Sequence, residues 1–237
     1  MKTVANLDDL PNLRDLGGIS AAARRLTSSG VLYRSALPIA GDSPPATVAI
    51  WPARTVVDLR SPHEAARTPH PLRSTDTSVH LVSLMSDAEV AQPELGAQLS
   101  DLYLHIVGRA GEKLVEVLRI AATAPAPILL HCAAGKDRTG IAVALLLRAA
   151  GVSTADILTD YLSTNDHMVA VLARLTHPAR GTNRTQPADR DLYGVVPEAM
   201  AGVLAYWDAH PGGVHGWIRS HGGTEDTICR WNARFTG

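Results

Sequence analysis

Apolar and polar positions change their period several times along the chain, and each change marks an element. Residues 11–37 alternate short apolar pieces with turn chemistry: Asn12 to Asp15, the Gly17 and Gly18 pair, then Gly30 to Arg34. This pattern predicts short strands joined by tight turns. The β-branched run over 55–59, bounded by Pro52 and by Ser61 and Pro62, reads as a buried strand, and 79–84 as a further one. Across 95–122 apolar residues recur at helical spacing (Leu99, Leu102, Ile106, then Leu114, Val117 and Leu118), and Gly108 and Gly111 break the run into two helices. Pro127 to His131 then reads as a short buried strand and Thr139 to Ala150 as an apolar helix ended by Gly151. Helices are predicted over 153–163 and 165–175, with Ser153 or Thr154 as N-cap. Residues 176–194 are polar and rich in Arg, Pro and Gly, which predicts a long loop; 195–209 and 214–220 give two final helical segments.

Composition narrows the class. At 237 residues and 46% hydrophobic, the chain buries one sizeable core, so 1–237 reads as a single α/β domain. A net charge of -1 gives no global attraction to nucleic acid or to an anionic membrane, so any anion site must be local. Among 22 basic residues only Lys2, Lys113 and Lys136 are lysines, so a lysine inside a glycine loop stands out. Cys132 and Cys229 are too few and too far apart for a disulfide framework, and no CxxC pair suggests structural zinc. The first residues lack the apolar core of a signal peptide, and the apolar stretch near Ile141 to Leu147 stops at Arg148. The expectation is a protein without stable membrane insertion, cytoplasmic or exported without a recognisable leader.

The chemistry concentrates in 131–140, which reads His131, Cys132, Ala133, Ala134, Gly135, Lys136, Asp137, Arg138, Thr139, Gly140. A strand–loop–helix here points successive N–H groups of Ala133 to Arg138 at one spot, at the positive end of the following helix, and so cradles a phosphate. Small residues at Ala133, Ala134 and Gly135 let the backbone come close. Cys132 lies at the floor, where the same field favours its thiolate and makes it a nucleophile. Arg138 can bind two phosphate oxygens with its planar fork, which a lysine could not do. Thr139 offers a hydroxyl to the departing thiolate. Asp137 beside a phosphate dianion is repelled as an anion, which favours the protonated form that a general acid needs. Asp58, at the C-terminal end of a predicted parallel strand, also faces this edge, either as a substrate-side group or as the partner of Arg60.

Three other readings of the loop are weaker. A Walker loop needs Ser or Thr after Gly-Lys, but Asp137 follows Lys136 and Leu130 replaces the first glycine. A metal site on His131 and Cys132 lacks neighbouring ligands. A merely buried cysteine does not account for the glycine, the arginine and the hydroxyl together.

The segment from His131 to Gly140 resembles the signature of the protein tyrosine phosphatase superfamily, Cys-x5-Arg followed by Ser or Thr. Asn12 to Gly18, Leu32 to Ser35, Val57 to Ser61, Ala149 to Val152 and Asp160 to Asn165 extend the resemblance to a bacterial branch containing secreted mycobacterial-type tyrosine phosphatases and atypical lipid phosphatases. It implies a central, largely parallel sheet flanked by helices, and a cysteinyl-phosphate route that uses no metal and no cofactor. The implied substrates are phosphoproteins bearing phosphotyrosine, phosphoserine or phosphothreonine, and phosphoinositides, with inorganic phosphate as product. Lys136 is shared with inositol-lipid phosphatases; a solvated rim lysine is the alternative. Many superfamily members take the acid from a mobile loop, whereas this branch carries Asp137 in the signature. Arg14 and Arg34 read as residues reaching substrate or loop or, more ordinarily, as turn-stabilising ion-pair partners, Glu64 as a brace for an arginine, His131 as a loop-fixing hydrogen-bond group, Tyr161 and Asn165 as packing and capping residues, and Cys229 as a core residue. A lid over 166–194, with Arg174, Arg180, Arg184 and Arg190, would close the pocket. A non-catalytic phospho-group reader and a rhodanese-like sulfurtransferase are the competing functions.

Overall fold

The computed structural model describes residues 9–44, 46, 48–67, 70–74, 76–91, 98–176 and 194–237. Five strands form one sheet: β1 (Arg14–Asp15), β2 (Leu32–Ser35), β3 (Thr55–Asp58), β4 (Ser78–Leu81) and β5 (Ile128–His131), in the order β1-β2-β5-β3-β4. β1 runs antiparallel to β2 and the other pairings are parallel, as the expected largely parallel sheet requires. β5 is central because it is apolar on both sides: Ile128 and Leu130 enter the larger core, and Leu129 enters a smaller cluster with Tyr33, Val56 and Leu13. β4 lies at the edge, mostly exposed, and ends at Leu81 rather than continuing to 84.

The flanking helices are α1 (Pro62–Ala66), α2 (Asp87–Ala91), α3 (Leu99–Arg109), α4 (Gly111–Thr123), α5 (Asp137–Ala149), α6 (Thr154–Ser163), α7 (Met168–Thr176), α8 (Pro197–Asp208), α9 (Gly213–Ser220) and α10 (Glu225–Phe235). The break between α3 and α4 falls at Ala110. α5 is buried from Arg138 to Leu147, as a helix apolar all round must be, and it ends before Gly151 at φ +77°, a left-handed stop suited to glycine. Ser153 caps α6 by accepting a hydrogen bond from the Asp156 amide. α3 packs on α8, and α4 on α10.

Two expectations need correction. The segment 165–175 is a 3-10 turn over Thr164–His167 leading into α7, and a further helix, α10, follows the two segments taken as final. Its signal was the stripe Ile228, Trp231 and Phe235, all buried; that stripe turns Cys229 outward, so the cysteine is exposed rather than in the core. Of the proposed lid, 166–176 belongs to the turn and α7, while Arg180, Arg184 and Arg190 lie outside the described residues. Among the described residues no helix is long and apolar enough to cross a membrane.

Candidate active site

Parallel pairing brings Ser35 of β2 and Asp58 of β3 level with His131 of β5, at the C-terminal edge where ligands bind in open α/β sheets. The loop 132–136 leaves from that edge and enters α5. Its carbonyls are tied away from the centre: Ala133 O accepts from the Leu37 amide at 3.0 Å, Lys136 O from the Gly140 amide at 2.8 Å, and Gly135 O from the Asn12 side-chain amide at 2.9 Å and Arg34 Nη2 at 2.8 Å. Carbonyls engaged in this way suit a loop whose N–H groups turn inward to an anion. Gly135 is required twice over. Its φ is +69°, and a Cβ there would lie 2.2 Å from Ser35 O.

Cys132 is 2% exposed at the start of this loop. Arg138, in the first turn of α5, is held by Glu64 through Nη1 at 2.5 Å and Nη2 at 3.1 Å. Glu64 takes one hydrogen from each terminal nitrogen, which fixes the fork and leaves its other donors for phosphate oxygens. Burial opposes the charge on Arg138, but Cys132, Glu64 and Asp137 outweigh it and push its pKa above the ordinary arginine value. Burial likewise opposes ionisation of Glu64, and Arg138 outweighs it, so the carboxyl lies below its usual range. Glu64 therefore braces an arginine as expected, although its side chain holds Arg138 and only its carbonyl meets Arg60, at 3.1 Å. Its place comes from a capping box, Ser61 and Glu64 exchanging hydrogen bonds at the start of α1. The Thr139 hydroxyl is buried and has no hydrogen-bond partner among the described residues.

The Gly135 end of the loop rests on an ionic brace. Asp160 of α6 accepts from Arg34 Nη1 at 2.5 Å and from Arg14 Nε at 2.7 Å, and all but Arg14 are buried. Burial raises the Asp160 pKa, but Arg34 and Arg14 outweigh it and hold it below the ordinary aspartate value. Arg14 Nη1 also donates to the side-chain oxygen of Asn12, orienting the amide that reaches Gly135 O. Asn12 takes a left-handed φ of 61°, a conformation Asn tolerates better than most residues. Arg14 and Arg34 are thus the ion-pair partners expected, and the residue they serve, Asp160, is the one that sequence reading left without a role.

The Cys132 end rests on neutral rings. His131 Nδ1 lies 3.0 Å from Cys132 O, and since a carbonyl only accepts, Nδ1 carries the proton. His131 Nε2 must then accept from His70 Nε2 at 2.9 Å, while His70 Nδ1 accepts from the Leu72 amide at 3.3 Å. Burial lowers both histidines, His70 to about 3, so the relay is uncharged at neutral pH. Asp58, His70 and His131 bring ligand-type atoms within 4.8 Å of one another, the composition of a metal site. Their lone pairs are already engaged by this relay and by Arg60, which binds Asp58 through Nε at 2.9 Å and Nη2 at 2.6 Å. Asp58, 3% exposed, is therefore Arg60's partner; the substrate-side alternative is corrected by that pairing.

Asp137 is the more open carboxyl, its side chain 30% exposed. Tyr103 of α3 reaches its Oδ1 at 2.8 Å and Tyr161 of α6 at 2.8 Å, so Tyr161 does more than pack. Lys136 is no solvated rim residue. It is 2% exposed, donates to Gly194 O at 3.0 Å, and lies 3.4 Å from Asp137 Oδ1. Tyr103 and His70 escaped sequence reading because each approaches the loop from a distant segment, and Tyr103 falls on the same apolar stripe as Leu99 and Ile106.

A largely parallel sheet flanked by helices, with this loop at its C-terminal edge, is consistent with a phosphatase fold. The sequence model of the tyrosine phosphatase family matches residues 5–237, and the chain belongs to that family, the protein tyrosine phosphatases. A tyrosine-protein phosphatase of Nostoc commune is 31% identical over 190 residues, 76% of this chain and 65% of that protein. The triple specificity protein phosphatase PtpB of Mycobacterium tuberculosis is 29% identical over 95% of this chain and 96% of its own length.

Proposed function

We propose that this protein, read as one phosphatase domain, hydrolyses phosphomonoesters through a cysteinyl-phosphate on Cys132. The observation that carries this reading is the loop itself: a buried cysteine under a ring of peptides whose carbonyls are tied outward, beside an arginine fork fixed by Glu64. The thiolate attacks phosphorus, the bond from phosphorus to the leaving oxygen breaks, and Asp137 gives that oxygen its proton. Ala133, Ala134, Gly135 and Lys136 supply amides, and Arg138 binds two equatorial oxygens as charge develops. Water then attacks the cysteinyl-phosphate and passes a proton to the Asp137 carboxylate. The phosphorus–sulfur bond breaks, releasing inorganic phosphate, and the Thr139 hydroxyl, without a partner among the described residues, receives the returning thiolate with a hydrogen bond.

Phosphotyrosine is the leading substrate class. Phosphoserine, phosphothreonine and phosphoinositides extend it, an extension supported by the family of this chain, by the triple specificity named for the mycobacterial relative and by the ammonium of Lys136 beside the loop. Hydrolysis of p-nitrophenyl phosphate, abolished by Cys132→Ser, is the expected result; full activity in that variant, or none in the native protein, removes the proposal. Rates on phosphotyrosine peptide, phosphoserine peptide and phosphoinositides, measured side by side in wild type and Lys136→Met, sort the classes. Selective loss on phosphoinositides is expected for the variant, and equal loss on all three denies Lys136 a part in specificity.

A further inference from the structure

Asp137 is held by a chain of hydroxyl groups that starts well away from the loop. The Tyr103 hydroxyl stands 2.8 Å from Asp137 Oδ1 and 2.8 Å from the Tyr161 hydroxyl. Both phenols are buried and stay protonated. Burial pushes Tyr161 up to about 12 and Tyr103 well above the ordinary tyrosine value.

The direction of the chain follows from what each group can give. A carboxylate only accepts, so the single phenolic proton of Tyr103 goes to Asp137. Tyr161 then donates to Tyr103. The Lys136 ammonium lies 3.4 Å from the same oxygen, Oδ1, whereas Oδ2 accepts from none of the described residues. With a hydroxyl and an ammonium both facing Oδ1, a proton on Asp137 sits on Oδ2.

We infer that Tyr103, backed by Tyr161, is a positioning residue for proton transfer: it occupies Asp137 Oδ1 and so presents Oδ2–H to the leaving oxygen. The inference rests on the reading of Asp137 as the general acid. As the phosphorus–oxygen bond breaks, the Oδ2 proton moves to the leaving oxygen, and the negative charge left on Asp137 is met at Oδ1 by donors already in place. In the second half-reaction the same Oδ2 takes a proton from the attacking water. Without the Tyr103 hydroxyl the carboxyl keeps only the Lys136 ammonium at Oδ1 and is less firmly oriented, so poor leaving groups suffer while good ones do not. A residue that only packs the core would slow every ester alike.

The test compares kcat/KM, which reports the first half-reaction, on phenyl phosphate and on dinitrophenyl phosphate, whose phenolate departs without a proton. A positioned general acid contributes about 10²–10⁴-fold, and loss of orientation forfeits part of that, so Tyr103→Phe is expected to lose roughly tenfold on phenyl phosphate and to stay within about twofold on dinitrophenyl phosphate. Tyr161→Phe shows the same selective loss, smaller, and decides the matter alone if Tyr103→Phe does not fold. Asp137→Asn shows the largest selective loss. If Asp137→Asn is selective but both tyrosine variants match wild type, or lose equally on both esters, the inference is overturned while the acid stands. If Asp137→Asn itself shows no selectivity, the acid assignment fails and this inference falls with it.

Discussion

The two ends of the phosphate loop are held by opposite means. At Gly135 the support is ionic: Arg14 and the buried Arg34 and Asp160 form a triad whose cations orient the groups that grip one carbonyl. At Cys132 it is neutral: two imidazoles pass a single hydrogen-bond direction to the cysteine's own carbonyl. The difference follows from what each end must do. The Gly135 end carries a glycine in a left-handed conformation pressed against Ser35 O, which needs strong, rigid support. The Cys132 end lies beside the sulfur that, on the proposed mechanism, forms and later releases a covalent bond, and its support adds no cation there. The cation that does act on the sulfur, Arg138, is shared with Glu64.

The largest expected effect breaks the ionic end. Asp160→Ala strands the buried guanidinium of Arg34 and the partly exposed one of Arg14, and removal of one partner from a buried ionic group costs about 3–5 kcal/mol. Urea denaturation measures it, and a loss below about 1 kcal/mol would show that the brace is not what holds this end. A smaller effect belongs to the neutral end. His70→Phe leaves His131 Nε2 without its donor, worth about 1–3 kcal/mol. His70→Gln can still donate to His131 and accept from Leu72, so it should stay closer to wild type. Equal losses in the two variants would mean that ring packing, not the relay, is what His70 supplies.

A further effect is the pH dependence that separates the ends. His70 has a folded pKa of about 3 against an ordinary value of 6.5, so the unfolded chain binds the extra proton between those limits. Its contribution is complete above about pH 6.5 and is lost as pH falls toward 3, because stability rises with pH wherever the unfolded state binds more protons. Asp160, with its folded pKa depressed, keeps its contribution at every pH above the ordinary aspartate range of about 3.9 and loses it only below. Mild acidification should therefore weaken the histidine end first. Denaturation midpoints between pH 7 and roughly 4.5 should slope less in His70→Gln than in wild type; parallel slopes would remove His70 from the titration.

How much of this was legible beforehand depended on distance along the chain. Cys132, Asp137, Arg138 and Thr139 lie within one strand–loop–helix, so spacing alone brought them together. The buried strands at 55–58 and 128–131 were legible for the same reason, since their β-branched and apolar runs sit between sharp breaks. The supporting residues were not. His70 meets His131 across 61 positions, Glu64 meets Arg138 across 74, and Asp160 meets Arg34 across 126, and no local period records such meetings. Glu64 shows the limit well: its type announced a brace, but the nearby Arg60 was the wrong arginine for its carboxylate, because Asp58 had already taken that guanidinium. α10 was overlooked although its buried stripe is regular, because charged residues such as Glu225, Asp226 and Arg230 separate the apolar ones.

The claim beneath all of this is that phosphorus passes through the sulfur of Cys132. Asp137→Asn mixed with dinitrophenyl phosphate should form the intermediate without an acid and hydrolyse it slowly without a base, so rapid quenching followed by mass spectrometry of the Cys132 peptide tests the claim most directly. A phosphoryl group on Cys132, absent when Cys132→Ser is added, is the expected result. Turnover without any phosphoryl group on that cysteine, persisting when it is replaced by serine, would contradict it.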